Sequence, residues 1–113
     1  MNKRNVGPVT ILELGPRFTL LEGTELRDTV NELLAEGRSS ILLDFSQVGF
    51  IDSQGIGLLI RAWMSADKGG KLKLFSLSPR VREILEITGL LKVMESFDDI
   101  GAALQSFSRQ ASA

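Results

Sequence analysis

The sequence predicts an α/β fold organised around a mainly parallel β-sheet. Short, mostly apolar runs such as residues 40–45 are typical of strands that are covered on both faces. Between these runs lie longer segments in which apolar residues recur every three or four positions, the spacing of amphipathic helices. Because strands and helices alternate after the first strand, we expect parallel strands joined by right-handed crossovers. A chain of 113 residues has the length of one domain with its own core.

The N-terminal third of the chain is predicted to contain one strand and one helix. Residues 1–8 are mostly polar and end in Gly-Pro, so they form either a polar N-terminal segment or an edge strand. The apolar stretch at 9–14 predicts a strand, and residues 17–23 predict a structured loop. Thr24 is the predicted N-cap of the first helix, which ends where Gly37 takes the C′ position.

The middle of the chain combines the central strand with the helix that follows it. A loop over 46–52 leads from the strand at 40–45 into a helix at 53–68, which Gly69-Gly70 ends. The predicted core-facing residues of this helix are Ile56, Leu59, Ile60, Trp63 and Met64.

The C-terminal third is predicted to contain two strands and two helices. Residues 71–77 alternate in polarity, so we expect a strand with one polar face. Ser78-Pro79 starts a short helix that Gly89 terminates, and a last strand follows at 91–95. Asp98 is the predicted cap of a final helix. The inward residues of that helix are Ile100, Ala103, Leu104 and Phe107.

The composition excludes several classes of function. Thirteen lysines and arginines face 14 aspartates and glutamates, so no basic excess indicates a nucleic acid or an anionic membrane as partner. Histidine, cysteine and tyrosine are absent, which excludes histidine-based catalysis, disulfides and zinc sites of the usual kinds. We expect no catalytic residues, cofactor or metal. The charged start of the chain is followed by no apolar h-region or cleavage site, and no apolar run reaches membrane-spanning length. These features predict a cytoplasmic protein without a signal peptide or membrane insertion.

The dipeptide Asp52-Ser53 lies where the central helix begins, and Ser53 has two interpretations. Its hydroxyl can accept a hydrogen bond from a first-turn N–H, as an N-cap worth about 1 kcal/mol. Alternatively, the hydroxyl is a phosphorylation site, since a helix N-terminus tolerates a phosphate dianion. At a protein interface the same dianion must be desolvated or repelled. A switch at Ser53 would therefore act on partners rather than on folding.

The glycines that follow do not form a nucleotide-binding motif. Gly55-Ile56-Gly57 lacks the third glycine of the dinucleotide fingerprint, because position 60 is Ile60. The glycines either let the helix start approach neighbouring backbone or leave room for a partner. Leu58 lies off the predicted apolar stripe, so it is either a partly exposed docking residue or a lone surface leucine.

Two segments of the chain resemble the STAS domain family, which includes the bacterial anti-sigma-factor antagonists. They are Leu43-Asp44-Phe45-Ser46-Gln47-Val48-Gly49-Phe50-Ile51-Asp52-Ser53-Gln54-Gly55-Ile56-Gly57 and Leu77-Ser78-Pro79-Arg80-Val81-Arg82-Glu83-Ile84-Leu85-Glu86-Ile87-Thr88-Gly89-Leu90. The resemblance implies a STAS-like domain over 9–107, followed by a flexible tail at 108–113. It also implies a small mixed, mostly parallel sheet of four to five strands, with about four helices packed mainly on one face.

The resemblance further implies a role in signalling without enzymatic activity. In the family, an anti-sigma factor with serine kinase activity phosphorylates the antagonist, using ATP, at the serine that corresponds to Ser53. The unphosphorylated antagonist captures that kinase and frees a sigma factor, and a phosphatase resets the cycle. An alternative within the family is an adaptor or scaffold subunit, in a stress-signalling or lipid-transport complex, that phosphorylation does not switch. Both a monomer and a homodimer remain open.

Three features depart from the family pattern. The residue after the serine is Gln54 instead of Ser or Thr, the loop at 15–19 lacks the common acidic residue, and the first strand is shortened to 1–8 or lost. The resemblance still implies Ser53 as the phosphoacceptor, with Asp52 shaping the phosphoacceptor site. The predicted partner-binding residues are Asp52, Gln54, Gly55, Ile56, Gly57 and Leu58.

Overall fold

A computed structural model describes residues 1–67 and 71–111 of the chain. Within these residues a one-turn 3-10 helix at Leu90–Lys92 accompanies the regular elements. In chain order the strands are β1 Asn2–Val6, β2 Val9–Glu13, β3 Arg17–Phe18, β4 Ser40–Asp44, β5 Phe50–Ile51, β6 Leu72–Phe75 and β7 Ser96–Phe97, and the helices are α1 Leu20–Ala35, α2 Ser53–Asp67, α3 Pro79–Ile87 and α4 Ile100–Ala111.

Five strands form the main sheet in the order β1-β2-β4-β6-β7. β1 runs antiparallel to β2, whereas the three other neighbouring pairs are parallel. Parallel neighbours need long crossover connections, and α1, α2 and α3 occur in those connections. This architecture confirms the predicted fold class. The short strands β3 and β5 pair in parallel as a separate two-stranded sheet.

Three helices cover one face of the main sheet, and one helix covers the other. The larger core lies between the sheet and α1, α2 and α3, which contribute buried residues such as Leu26, Leu59 and Leu85. α4 covers the opposite face, where Ala103 and Phe107 pack against the sheet. The expectation that the helices pack mainly on one face is therefore confirmed. The sheet residues under α4 are Val9, Ile11 and Leu42.

The first helix begins earlier than the sequence predicts. Its N-cap is Thr19 instead of Thr24, and the proposed loop at 17–23 is wrong because it contains β3 and the first turn of α1. The Thr19 hydroxyl and backbone N–H donate to Glu22 Oε1 at 2.6 and 2.9 Å, and these hydrogen bonds lower the pKa of Glu22 below its usual value. Thr24 lies inside the helix, where its hydroxyl donates to the Leu20 carbonyl.

Three helix termini agree with the sequence-based prediction. Gly37 has φ +80°, and the N–H groups of Gly37 and Arg38 donate to the last carbonyls of α1. Ser78 caps α3 by accepting a hydrogen bond from the Val81 N–H at 3.3 Å. Gly89 follows α3 with φ +79°, a conformation that glycine adopts without strain.

The C-terminal segment differs from the prediction in three respects. The predicted strand at 91–95 is wrong, because the 3-10 helix occupies its start and β7 begins only at Ser96, just after the predicted end. Asp99, not Asp98, caps α4, since its Oδ2 accepts from the Ala102 N–H at 2.8 Å. α4 continues to Ala111, so the predicted tail is helical over 108–111. The remaining tail residues, 112–113, and the predicted helix stop at Lys68-Gly69-Gly70 lie outside the described residues.

The polar face predicted for the strand at 71–77 is also wrong, because α4 buries Lys73. This side chain is only 1% exposed. Its ammonium donates to Ser106 Oγ at 2.9 Å and lies 3.2 Å from a Glu95 carboxylate oxygen. The Phe107 ring centroid is 4.8 Å from the same nitrogen, within the range of a cation–π contact. Lys73 thus connects the sheet to α4 through polar and aromatic contacts.

The Ser106→Ala variant should lose stability, because it leaves the buried Lys73 ammonium with one hydrogen-bond acceptor fewer. We expect the free energy of unfolding to fall by about 1–3 kcal/mol in urea denaturation. Ser108→Ala, which changes an exposed serine of the same helix, should alter it by no more than about 0.5 kcal/mol. Equal effects of the two substitutions would show that the contact with Lys73 contributes nothing.

Candidate functional site

The candidate site lies where β5 runs into α2. β3 pairs with β5 so that Phe18 stands beside Ile51, and both side chains are buried. The Phe18 and Phe45 ring centroids are 6.2 Å apart, which joins this small sheet to the end of the central strand. The packed side chains fix the position of the backbone that enters α2.

Asp52 caps α2, and Ser53 is the first helical residue. The Asp52 Oδ1 accepts a hydrogen bond from the Gly55 N–H at 2.8 Å, and the Asp52 carbonyl accepts from the Ile56 N–H at 2.9 Å. These are the contacts of an N-cap residue. The interpretation of Ser53 as the cap is therefore wrong, because the helix begins at Ser53 itself, one residue earlier than that role requires.

Ser53 presents its hydroxyl to solvent. The residue is exposed, and no hydrogen bond of its hydroxyl is found within residues 1–67 and 71–111. The adjacent Gln54 is exposed as well. The first-turn amides of a helix lack intrahelical acceptors, so the end of α2 offers N–H groups and the positive end of the helix dipole. A phosphate on Ser53 would meet a favourable field without displacing any contact that holds α2.

Stability measurements can test whether Asp52, and not Ser53, caps α2. We expect Asp52→Ala to lower the free energy of unfolding by about 1 kcal/mol, because the cap is lost. Ser53→Ala should change it by no more than about 0.5 kcal/mol. Asp52→Asn serves as the matched control, since asparagine caps equally well. A larger loss for Ser53→Ala than for Asp52→Ala would contradict the assignment.

The two glycines of α2 have different surroundings. Gly55 is buried against β3, where a Cβ atom would lie 2.0 Å from the Phe18 carbonyl oxygen. Gly57 has no described atom within 4 Å of the corresponding position. The sequence left two roles open for these glycines. Gly55 takes the first, close approach of backbone, whereas Gly57 leaves open space on the surface of α2.

The predicted exposure of Leu58 is wrong. The residue is 9% exposed and packs against α1 at Gly23, where a Cβ atom would come within 2.7 Å of the Leu58 Cβ. Conversely, Met64 was predicted to face the core and is 62% exposed. Of the other predicted core-facing residues, Leu59 is buried, and Ile56, Ile60 and Trp63 are partly buried against the core. The centre of the buried side is rotated toward the fully buried residues, which are Gly55, Leu58, Leu59, Ala62 and Ala66.

The structure adds two residues that the sequence did not single out. Phe50, in β5, is 41% exposed, and the Arg17 guanidinium carbon lies 4.6 Å from its ring centroid. Both side chains belong to two-residue strands, too short for a recognisable polarity pattern. Of the predicted site residues, Ser53 and Gln54 are exposed, whereas Asp52, Ile56 and Gly57 are partly exposed.

Two further features, a membrane-spanning helix and a metal site, are not found in the described part of the chain. None of its helices combines the length and the apolarity that spanning a membrane would require. Residues 1–67 and 71–111 also contain no group of three acidic side chains placed to hold a metal ion.

Comparisons with known proteins agree on one family. The family model described as "STAS domain" matches residues 1–103. A TM1081 homolog from Thermotoga neapolitana is 36% identical over 76 residues, which cover 66% of this chain and 67% of the relative. The anti-sigma F factor antagonist of Paenibacillus polymyxa is 32% identical over 60 residues, covering 52% of this chain and 51% of the relative.

A solved structure extends the similarity to almost the whole chain. The NMR structure of the protein TM1081 superimposes with a TM-score of 0.85 at 27% sequence identity. The superposition covers 95% of this chain and 87% of TM1081. The arrangement of strands and helices around the start of α2 is thus shared with a solved protein of the same architecture.

Proposed function

Because this chain belongs to the STAS domain family, we propose that it is an anti-sigma factor antagonist switched by phosphorylation of Ser53. The observation that carries the proposal is the exposed Ser53 hydroxyl at a helix start that Asp52 already caps. A kinase can reach such a hydroxyl, and the cap of α2 does not depend on it. The antagonist role is taken from relatives such as the Paenibacillus polymyxa protein.

The proposed docking surface surrounds Ser53 on the outer side of the start of α2. It comprises the accessible residues of the predicted set, while Gly55 and Leu58 are left out because both are buried. Gly57 suits a docking surface, because a partner can approach the helix backbone closely where no side chain projects. The remaining members are Asp52, Gln54 and Ile56.

In the proposed cycle the chain supplies the phosphoacceptor and the partner supplies the catalysis. The partner is an anti-sigma factor with serine kinase activity, which transfers the γ-phosphoryl group of ATP to Ser53 Oγ. The P–O bond to ADP breaks, the bond to Ser53 forms, and the hydroxyl proton passes to a base of the kinase. The phosphorylated chain then releases its partner, and hydrolysis by a phosphoserine phosphatase restores the hydroxyl.

Phosphotransfer from a purified anti-sigma factor tests the proposal directly. The full chain is incubated with that protein and ATP, and intact-mass and peptide mass spectrometry locate any phosphate. We expect one phosphate on Ser53. The Ser53→Ala variant should remain unmodified, whereas Ser65→Ala, which changes another exposed serine of α2, should be modified like the wild type.

The outcomes separate the switch from the adaptor alternative. Binding of the anti-sigma factor without phosphate on Ser53 would leave an antagonist or adaptor that phosphorylation does not control. Modification of both serine variants would show that the kinase uses another residue. Either result would overturn Ser53 as the switch.

A further inference from the structure

Arg17 belongs to the strand that pairs with β5, and β5 leads directly into α2 and Ser53. β3 and β5 are paired so that Arg17 stands in register with Phe50. Phe50 precedes Ser53 by three positions, a stretch of chain that spans about 11 Å at most. One partner surface of ordinary size, about 800 Å² per protein, can contact both positions.

The positive charge of Arg17 has no ion-pair partner within the described residues. Its guanidinium instead rests on the Phe50 ring, with the guanidinium carbon 4.6 Å from the ring centroid. Glu22 is the acidic residue whose pKa Arg17 helps to lower, yet the Glu22 Oε1 is already bonded to the N–H and hydroxyl of Thr19. The Arg17 guanidinium is therefore stacked on the Phe50 ring and remains exposed to solvent.

Apolar surface adjoins this cation. Leu21 is 76% exposed and lines the same cleft of about 310 Å³ as Arg17 and Pro16. Two carboxylates also line this cleft, but Glu22 is bonded to Thr19 and Glu25 lies 3.5 Å from the N-terminal ammonium. Phe50 adds exposed aromatic surface on the other side. An arginine among aromatic and apolar side chains is the composition of an interface hot spot, where burial of the surrounding groups excludes water and strengthens the ionic contact.

We propose that Arg17, stacked on Phe50, is a specificity-determining contact for the anti-sigma factor, which presents a carboxylate to it. The inference rests on the proposed function and adds the chemistry of the partner. The planar guanidinium favours a carboxylate that it can bind through two parallel hydrogen bonds. A phosphate on Ser53 would repel that carboxylate and compete for Arg17, so the contact also strengthens the switch.

Binding measurements with charge variants test this inference. The anti-sigma factor used in the phosphotransfer assay is titrated by calorimetry into each variant at low and high salt. We expect Arg17→Gln to weaken binding by about 10- to 100-fold and to reduce its salt dependence. Arg17→Lys should fall between Arg17→Gln and the wild type, because it keeps the charge and loses the planar fork. Arg17→Glu should weaken binding further than Arg17→Gln.

Arg27→Gln is the matched control, since Arg27 is a partly exposed arginine of α1 whose guanidinium pairs with its neighbour Asp28 at 3.2 Å. It should bind like the wild type. A carboxylate-to-arginine change on the partner should restore binding to the Arg17→Glu variant and identify the acidic residue.

Three results would overturn the inference. Equal affinities of the wild type and Arg17→Gln at both salt concentrations would refute it and leave the proposed function intact. Equal losses for Arg17→Gln and Arg27→Gln would indicate general charge attraction instead of a specific contact. A wild-type chain that binds no anti-sigma factor would refute this inference together with the proposed function.

Discussion

Phosphoserine at position 53 is expected to weaken binding of the anti-sigma factor more than a hundredfold and to leave the fold intact. The fold tolerates the dianion because Ser53 is exposed at the start of α2, where the helix dipole favours negative charge by about 0.3–1 kcal/mol. The bound partner must desolvate or repel the same dianion. A penalty of about 3 kcal/mol is enough to reduce affinity more than a hundredfold.

The experiment compares phosphoserine, Ser53→Asp and Ser53→Ala in both thermal unfolding and partner titration. We expect similar unfolding midpoints for all three and wild-type affinity for Ser53→Ala. Phosphoserine should have the largest effect on affinity, because it carries more charge than aspartate. If phosphoserine strongly lowers the unfolding midpoint and preserves affinity, the prediction that the phosphate acts on binding and not on folding is contradicted.

Gly55→Ala is expected to destabilise the fold more than removal of the Asp52 cap does. Its Cβ atom would lie 2.0 Å from the Phe18 carbonyl oxygen, which belongs to the β3 backbone and cannot move aside like a side chain. β3 and the start of α2 must therefore separate. We expect a loss of about 3 kcal/mol in the free energy of unfolding by urea, since the gain in helix propensity is only about 1 kcal/mol.

Gly57→Ala is the matched control for Gly55→Ala. No described atom lies within 4 Å of the added Cβ, so the substitution should stabilise α2 by about 0.5–1 kcal/mol. The same methyl group would project from the proposed docking surface and weaken partner binding. Destabilisation of similar size at both glycines would show that close approach to Phe18 is not the reason for Gly55.

The sequence was sufficient to predict the alternation of the main-sheet strands with the four helices, but not which side of α2 is fully buried. The prediction centred the buried side on the large apolar residues, but three of these are only partly buried, whereas Gly55, Ala62 and Ala66 are fully buried. Small residues allow two helices to approach closely, and a pattern based on hydrophobicity does not detect them. The burial of Leu58 follows from Gly23 on the facing helix, a contact between positions 35 residues apart.

The start of α1 could have been predicted better. Thr19 and Glu22 have the spacing of a capping box, which is visible in the sequence. Gly23 is part of α1, where it packs closely against Leu58 of α2. By contrast, the burial of Lys73 depends on α4 lying across the sheet. Local alternation in polarity carries no information about a helix that follows so far along the chain.

The position of Ser53 at the helix start could be predicted from the sequence, whereas its relation to the cap could not. Asp52 and Ser53 are both good N-cap residues, so their types alone do not decide which one caps α2. The register is set by β5, whose Ile51 is held in the core beside Phe18. The contact between Arg17 and Phe50 could not be predicted for the same reason, because pairing of two-residue strands is a property of the folded chain.

The capping of α2 by Asp52 has an evolutionary consequence. After gene duplication, one copy can exchange Ser53 for alanine through one codon change without any compensating mutation in the scaffold. If the proposed cycle operates, such a paralog would be permanently active, since its kinase would find no hydroxyl to modify. Where an aspartate caps the helix in this way, evolution can therefore exchange regulated for constitutive members with little change in the free energy of unfolding.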